Sequence, residues 1–145
     1  MPKKRILLVE DSPAIRAHAT KLLTDAGYEV STAVDWVTAN EQYYAAGRRP
    51  DLLLIDVNLG ATVNGTKIAW AYATARQRVG GAPRPVLLLF SDMDEAVLTR
   101  LASESGADGF IRKVDGLGEL VERVDWWLSS AFVESLQTPA LAQRG

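Results

Sequence analysis

The chain has 145 residues, 48% apolar and 23% charged, the size and balance of one globular domain with a proper core. A net charge of −2 leaves no basic footprint for nucleic acid, and no cysteine with a single histidine, His18, excludes disulfides, thiolate metal sites and a histidine-rich zinc site. No apolar stretch approaches membrane-spanning length, and the apolar run after Met1-Pro-Lys-Lys-Arg5 is too short for a signal peptide, so a soluble cytoplasmic protein is expected.

Strand and helix patterns take turns along the chain. Lys4–Val9 reads as a first strand, with Ile6-Leu7-Leu8-Val9 followed at once by Glu10 and Asp11. Ser12-Pro13 is a helix start, Ser as N-cap and Pro at the first helical position. Ile15, Ala19, Leu22, Leu23 and Ala26 then share one helical face, and Gly27 closes the helix. Tyr28–Val34 alternates and carries β-branched residues, so it reads as a second strand. Asp35 caps a second helix running to about Gly47. Asp51–Asp56 is a third strand, an apolar run of the kind buried on both faces, ending on a carboxylate. A loop rich in Gly and Asn, Asn58 to Gly65, leads to a helix over Thr66–Val79 with Ile68, Ala71, Tyr72 and Ala75 on one face. Pro85–Phe90 is a fourth buried strand, Met93–Ser105 a helix stopped by Gly106, and Asp108–Arg112 a short fifth strand. Leu117, Leu120, Val121, Val124, Trp127, Leu128 and Ala131 mark a long last helix. Five βα units with short links predict an α/β fold, a doubly wound five-stranded parallel sheet with helices on both faces. Residues 1–134 are expected to form one domain, and residues 135–145 a frayed tail.

Chemistry-bearing residues gather at the carboxyl ends of strands. Glu10 and Asp11 follow the first, Asp56 ends the third, Ser91 follows the fourth and Lys113 the fifth. In an open α/β sheet these edges lie side by side where ligands bind. Clustered carboxylates repel unless a hard cation joins them, and Mg²⁺ takes a few carboxylates while keeping water for a phosphate oxygen. An Asp carboxylate can attack phosphorus, while a lysine and a hydroxyl stabilise the remaining phosphoryl oxygens.

The sequence resembles the receiver domain of bacterial two-component response regulators. The matching stretches are Val9-Glu10-Asp11-Ser12, Leu54-Ile55-Asp56-Val57-Asn58, Asn64-Gly65, Phe90-Ser91 and Gly106-Ala107-Asp108-Gly109-Phe110-Ile111-Arg112-Lys113. The resemblance covers Lys4 to about Leu128. It implies a flavodoxin-like (βα)5 fold with strand order 2-1-3-4-5. It implies that Asp56 is the phospho-acceptor, and that Glu10, Asp11, Asp56 and the backbone carbonyl of Asn58 hold Mg²⁺. Ser91 matches the switch hydroxyl, Lys113 the phosphate-binding lysine, and Phe110 the aromatic that turns with activation state. The implied donor is a histidine kinase or histidine phosphotransfer protein. The implied output is a protein contact with a downstream target, and the only reaction catalysed is the domain's own Asp phosphorylation and dephosphorylation. No output domain is expected, and neither nucleic acid nor membrane is an expected partner.

The chain departs from the family pattern in three places. The loop after Asp56 lacks the usual Pro and is slightly longer than the common form. Asp92 follows Ser91 where a small residue is usual, and Val114 follows Lys113 where Pro is usual. Asp92 and Val114 also suit a second reading, a degenerate receiver acting as a phosphorylation-independent interaction module. A phosphohydrolase of similar architecture is disfavoured, because such enzymes resemble Asp-x-Asp where this chain has Glu10-Asp11-Ser12. A flavin-binding domain lacks its phosphate loop here.

Bland alternatives stand beside several of these residues. Ser91 is also a candidate helix cap, Phe110 a candidate core residue, and His18 an exposed residue with no partner in view. Trp36, Trp70, Tyr43 and Tyr44 read as packing or helix-surface aromatics. Trp126 falls about 100° from Trp127 on the last helix. It is either partly covered by neighbouring stems or part of an interface, and an interface is expected, with the protein a monomer or weak homodimer through that helix.

Overall fold

The computed structural model of the protein describes residues 3–45, 47, 49–59, 64–78 and 85–129. The elements run β1 Arg5–Val9, α1 Pro13–Asp25, β2 Glu29–Ala33, α2 Trp36–Ala45, β3 Leu52–Asp56, α3 Gly65–Arg78, β4 Val86–Ser91, α4 Glu95–Ser105, β5 Gly109–Arg112 and α5 Leu120–Trp127, with a 3₁₀ turn at Asp115–Leu117 before α5. The five strands form one parallel sheet in the order β2-β1-β3-β4-β5, the order expected. The residues beyond Ser129, including the expected tail over 135–145, lie outside the described ones.

The strands β1, β3 and β4 are buried throughout because both of their faces are covered. Alternate side chains go to opposite faces. Leu7, Val9, Leu53, Ile55, Leu87 and Leu89 pack with Ala39, Tyr43, Ile68, Tyr72 and Leu98 of α2, α3 and α4. Ile6, Leu8, Leu52, Leu54, Leu88 and Phe90 pack with Ala19 and Leu23 of α1 and with Leu120 and Val124 of α5. The polar edge strand β2 is only partly covered, as its alternating sequence requires.

The predicted punctuation holds at the helix ends. Ser12 caps α1, its hydroxyl accepting from the Ile15 amide, with Pro13 in the first turn. Asp35 accepts from the Thr38 amide at 2.9 Å to start α2. Gly106 closes α4 in the left-handed conformation, φ 77°.

Four expectations change. The buried stripe of α3 is Ile68, Ala69, Tyr72 and Ala73, while Ala75 is exposed. A run dense in alanine offers little contrast with which to fix a face. Helix α4 starts at Glu95, not Met93, leaving Met93 in the loop. Helix α5 starts at Leu120 rather than Leu117, because Gly116 and Leu117 both have positive φ, 63° and 65°. Leu117 bears that strain while buried in the α1–α5 core. His18 is exposed but has a partner: its Nε2–H donates to the Gly116 carbonyl at 2.8 Å, tying α1 to this turn.

Candidate functional site

Sheet register assembles the site. Val9 pairs with Ile55, Asp56 with Phe90, and Ser91 with Arg112. The residues just past β1, β3 and β5 are therefore neighbours at one edge. Glu10 is fully buried, Asp56 is 4% exposed and Asp11 is exposed. Each of the three offers a carboxylate oxygen, and these oxygens lie within 4.8 Å of one another.

Two charges of like sign do not enter a buried pocket without compensation. Lys113 supplies it. Its Nζ lies 2.6 Å from Glu10 Oε1 and 3.2 Å from Asp56 Oδ1, and it sits over the Phe90 ring at 4.9 Å from the centroid. The backbone of Lys113 is held in place by its amide donating to the Ser91 carbonyl at 2.8 Å. Lys113 thus reaches the carboxylates although Val114, not Pro, follows it. Asp56 also accepts from the Asn58 amide at 3.0 Å, and Glu10 from the Ser12 amide at 3.2 Å.

The pair splits in acidity. Burial, then the hydrogen bond with Glu10, push the Asp56 carboxyl up to about 7, against the Asn58 amide and Lys113. Burial acts to raise Glu10 as well, but hydrogen bonds with Asp56, Lys113 and the Ser12 amide outweigh it and hold Glu10 below the ordinary carboxyl range. An all-oxygen, carboxylate-rich set with one exposed member fits a small hard divalent cation, which keeps part of its shell as water.

The other expected residues divide. Ser91 is 2% exposed, and its Oγ accepts from the Met93 amide at 3.1 Å, so it serves the loop after β4 and not the first turn of α4. Phe110 is half-buried against the core under α4. Asp92 and Asn58 are exposed. Trp126 lies away from the site on α5, 58% exposed.

Three further residues, none given a role from the sequence, also build the site. Arg16 Nη1 donates to the Glu10 carbonyl at 3.0 Å and holds the chain where the acidic pair leaves β1. Arg112 Nε donates to the Met93 carbonyl at 3.0 Å. Gly65 approaches the Asp56 carbonyl so closely that a Cβ there would collide with it, while its amide bonds the Val57 carbonyl at 3.0 Å. Gly65 had a signal, since Asn64-Gly65 opens a helix beside the site; the arginines had none beyond lying one turn or one residue from a site residue.

Known proteins now bear on this edge of carboxylates and lysine. The response regulator receiver domain family matches residues 6–125, and the chain belongs to that family, the signalling domains of two-component systems. Among its relatives are the transcriptional regulatory protein PrrA of Mycobacterium tuberculosis, 33% identical over 120 residues, covering 83% of this chain and 48% of PrrA. The alkaline phosphatase synthesis transcriptional regulatory protein SphR of Synechococcus elongatus is 33% identical over 147 residues, covering 97% of this chain and 54% of SphR. The chain spans about half the length of these curated relatives. Among solved structures, the chemotaxis response regulator CheY4 of Vibrio cholerae superposes with TM-score 0.72 at 26% identity, covering 86% of this chain and 98% of that one. A CheY-like receiver domain protein from Methanospirillum hungatei shares the fold with TM-score 0.71 at 23% identity, covering 88% and 94%. Among the described residues no helix is long and apolar enough to cross a membrane.

Proposed function

We propose that this protein is a phosphoacceptor that takes a phosphoryl group onto Asp56 from a histidine kinase or a histidine phosphotransfer protein, and signals through protein contacts. The observation that carries the reading is the burial of Asp56 at the end of β3, beside Glu10 and Asp11, with Lys113 Nζ 3.2 Å away. The carboxylate oxygen of Asp56 attacks phosphorus, an acyl-phosphate bond forms, and the bond to the departing group breaks with its electron pair leaving on that group. Lys113 is within reach of the oxygens that carry the added charge. Ser91 has a hydroxyl proton to donate to one of them once it leaves the Met93 amide. Glu10, Asp11, Asp56 and the Asn58 carbonyl would hold Mg²⁺, which would supply neutralisation of the crowded negative charge. In this reading Phe110 and the surface of α4, β5 and α5 change as the charge on Asp56 changes. In this reading the protein works in the cytoplasm, where its donor presents phosphohistidine.

Lys113 reaches Asp56 although Val114 follows it, which favours the phosphoacceptor reading over a degenerate module that binds without phosphorylation; Asp92, exposed beside Ser91, is compatible with both. Intact mass after incubation with Mg²⁺ and acetyl phosphate tests the choice. Wild type is expected to gain one phosphoryl mass and release acetate, and Asp56→Asn to gain none. Equal labelling of the two proteins would move the acceptor elsewhere, and no labelling of wild type would leave the degenerate module.

A further inference from the structure

The loop between β4 and α4 is held at both main-chain groups of a single residue. The Met93 amide donates to Ser91 Oγ at 3.1 Å, and the Met93 carbonyl accepts from Arg112 Nε at 3.0 Å. Ser91 and Arg112 are register partners across β4 and β5, so two adjacent strand ends grip the same point of the loop. The Met93 side chain is half-buried against the same core that Phe110 packs on. Arginine is charged at every relevant pH, its Nε–H lies in a planar group of fixed geometry, and a charge-assisted bond to a partly buried carbonyl is stronger than a neutral one.

We propose that Arg112 is a positioning residue that restrains Ser91, holding the Met93 main chain so that the serine hydroxyl stays engaged with its own loop until Asp56 carries a phosphoryl group. The proposal rests on the phosphoacceptor reading of Asp56. For Ser91 Oγ to move toward Asp56, the Met93 amide must lose its acceptor. A stranded, half-buried amide is costly unless the loop shifts to find another. With the next carbonyl tied to Arg112, the loop is not free to follow. The restraint thus adds to the barrier for the phosphoryl-bound arrangement and keeps the resting protein quiet. Asp92 and Asp94 flank Met93 and are exposed, so the loop has no apolar anchor besides Met93 itself.

The test compares labelling by acetyl phosphate at saturating Mg²⁺ in wild type, Arg112→Ala and Arg112→Lys, with amide hydrogen exchange at Met93 in the unlabelled proteins. Arg112→Ala is expected to label faster, on the order of tenfold, as loss of one charge-assisted bond allows. Its Mg²⁺ half-saturation is expected to stay unchanged and its Met93 amide to exchange faster. Arg112→Lys keeps the stem and the charge without the planar Nε–H, and is expected to fall between the two. A merely structural arginine would lower stability and slow labelling together. Labelling by a folded variant at the wild-type rate or below it, while wild type labels, overturns the restraint and leaves the acceptor intact. No labelling of any of the three overturns the phosphoacceptor reading, and the restraint with it. If Arg112→Ala does not fold, Arg112→Lys is read alone by the same criteria.

Discussion

Asp56 and Glu10 give the site a pH signature that can be measured without a phosphodonor. Asp56 has an ordinary carboxyl value of 3.8 in the unfolded chain and about 7 in the folded one, raised by burial and by Glu10. A group raised in this way favours the folded state fully below the unfolded value, and that contribution is lost as pH rises through the folded one. Glu10 runs the other way. Held below its ordinary 4.5, it favours folding above that value and its contribution is lost in acid. Without metal, the melting midpoint of wild type is therefore expected to fall between about pH 5 and about pH 8 through Asp56. Asp56→Asn is expected to flatten that fall and to melt higher at about pH 8, by about 1–2 kcal/mol in stability. The substitution also removes an ion pair with Lys113, but Lys113 keeps Glu10 at 2.6 Å. A lower midpoint for Asp56→Asn across the whole range would show that the carboxylate is needed for the fold and is not strained by it. The acidic pair and Asp56 were legible as single residues, since each ends or follows an apolar run. Their unequal acidity was not, because it arises from how deeply each is buried and which donors reach it.

Helix α5 approaches strand β5 closely at Trp127. Gly109 lies under the Trp127 ring, close enough that a Cβ would overlap the indole. Trp126 stands edge-on to Trp127, with centroids 4.9 Å apart, and is 58% exposed. Trp127→Ala is expected to destabilise by about 2–4 kcal/mol, as removal of a partly buried indole does, and Trp126→Ala by less than about 1 kcal/mol. Gly109→Ala is expected to cost about 1–3 kcal/mol in wild type and clearly less in the Trp127→Ala background, where the space is vacated. Additive losses in that double-mutant cycle would mean the collision is relieved by a shift of the helix. Sedimentation of Trp126→Ala addresses the expected interface: weaker self-association with an unchanged midpoint supports it, and a loss of stability equal to that of Trp127→Ala makes Trp126 a core residue. At this scale sequence periodicity found every strand and α-helix among the described residues but misplaced two helix starts. Met93 and Leu117 have helical character locally. The first was claimed by Ser91 and Arg112, the second by burial behind a left-handed turn that His18 holds.

The whole molecule brings the strand ends together, and a cation bound in the acidic cluster would report on folding. A cation that binds only the folded state stabilises it by roughly 1.4 kcal/mol at ten times its dissociation constant. Millimolar-scale Mg²⁺ is expected to raise the melting midpoint of wild type, and Asp11→Asn to lose most of that gain, since Asp11 is the exposed member of the cluster. A wild-type midpoint indifferent to Mg²⁺, with no localised amide shifts near Asp11, Asp56 and Asn58, would count against the metal reading. By itself the sequence determined the alternation of elements, the doubly buried strands and the identity of the residues at their carboxyl ends. Those features follow from hydrophobic period, caps and turn residues, which act within about ten residues along the chain. Only the tertiary structure decided which side chains cross between elements. Lys113 is shared between Glu10 and Asp56, Arg112 grips Met93, His18 bonds a carbonyl 98 residues away, and Tyr28 bonds Asp125 across 97. These contacts depend on the distance and rotation between packed elements, set by the fit of whole faces, and no local pattern in the chain encodes that fit.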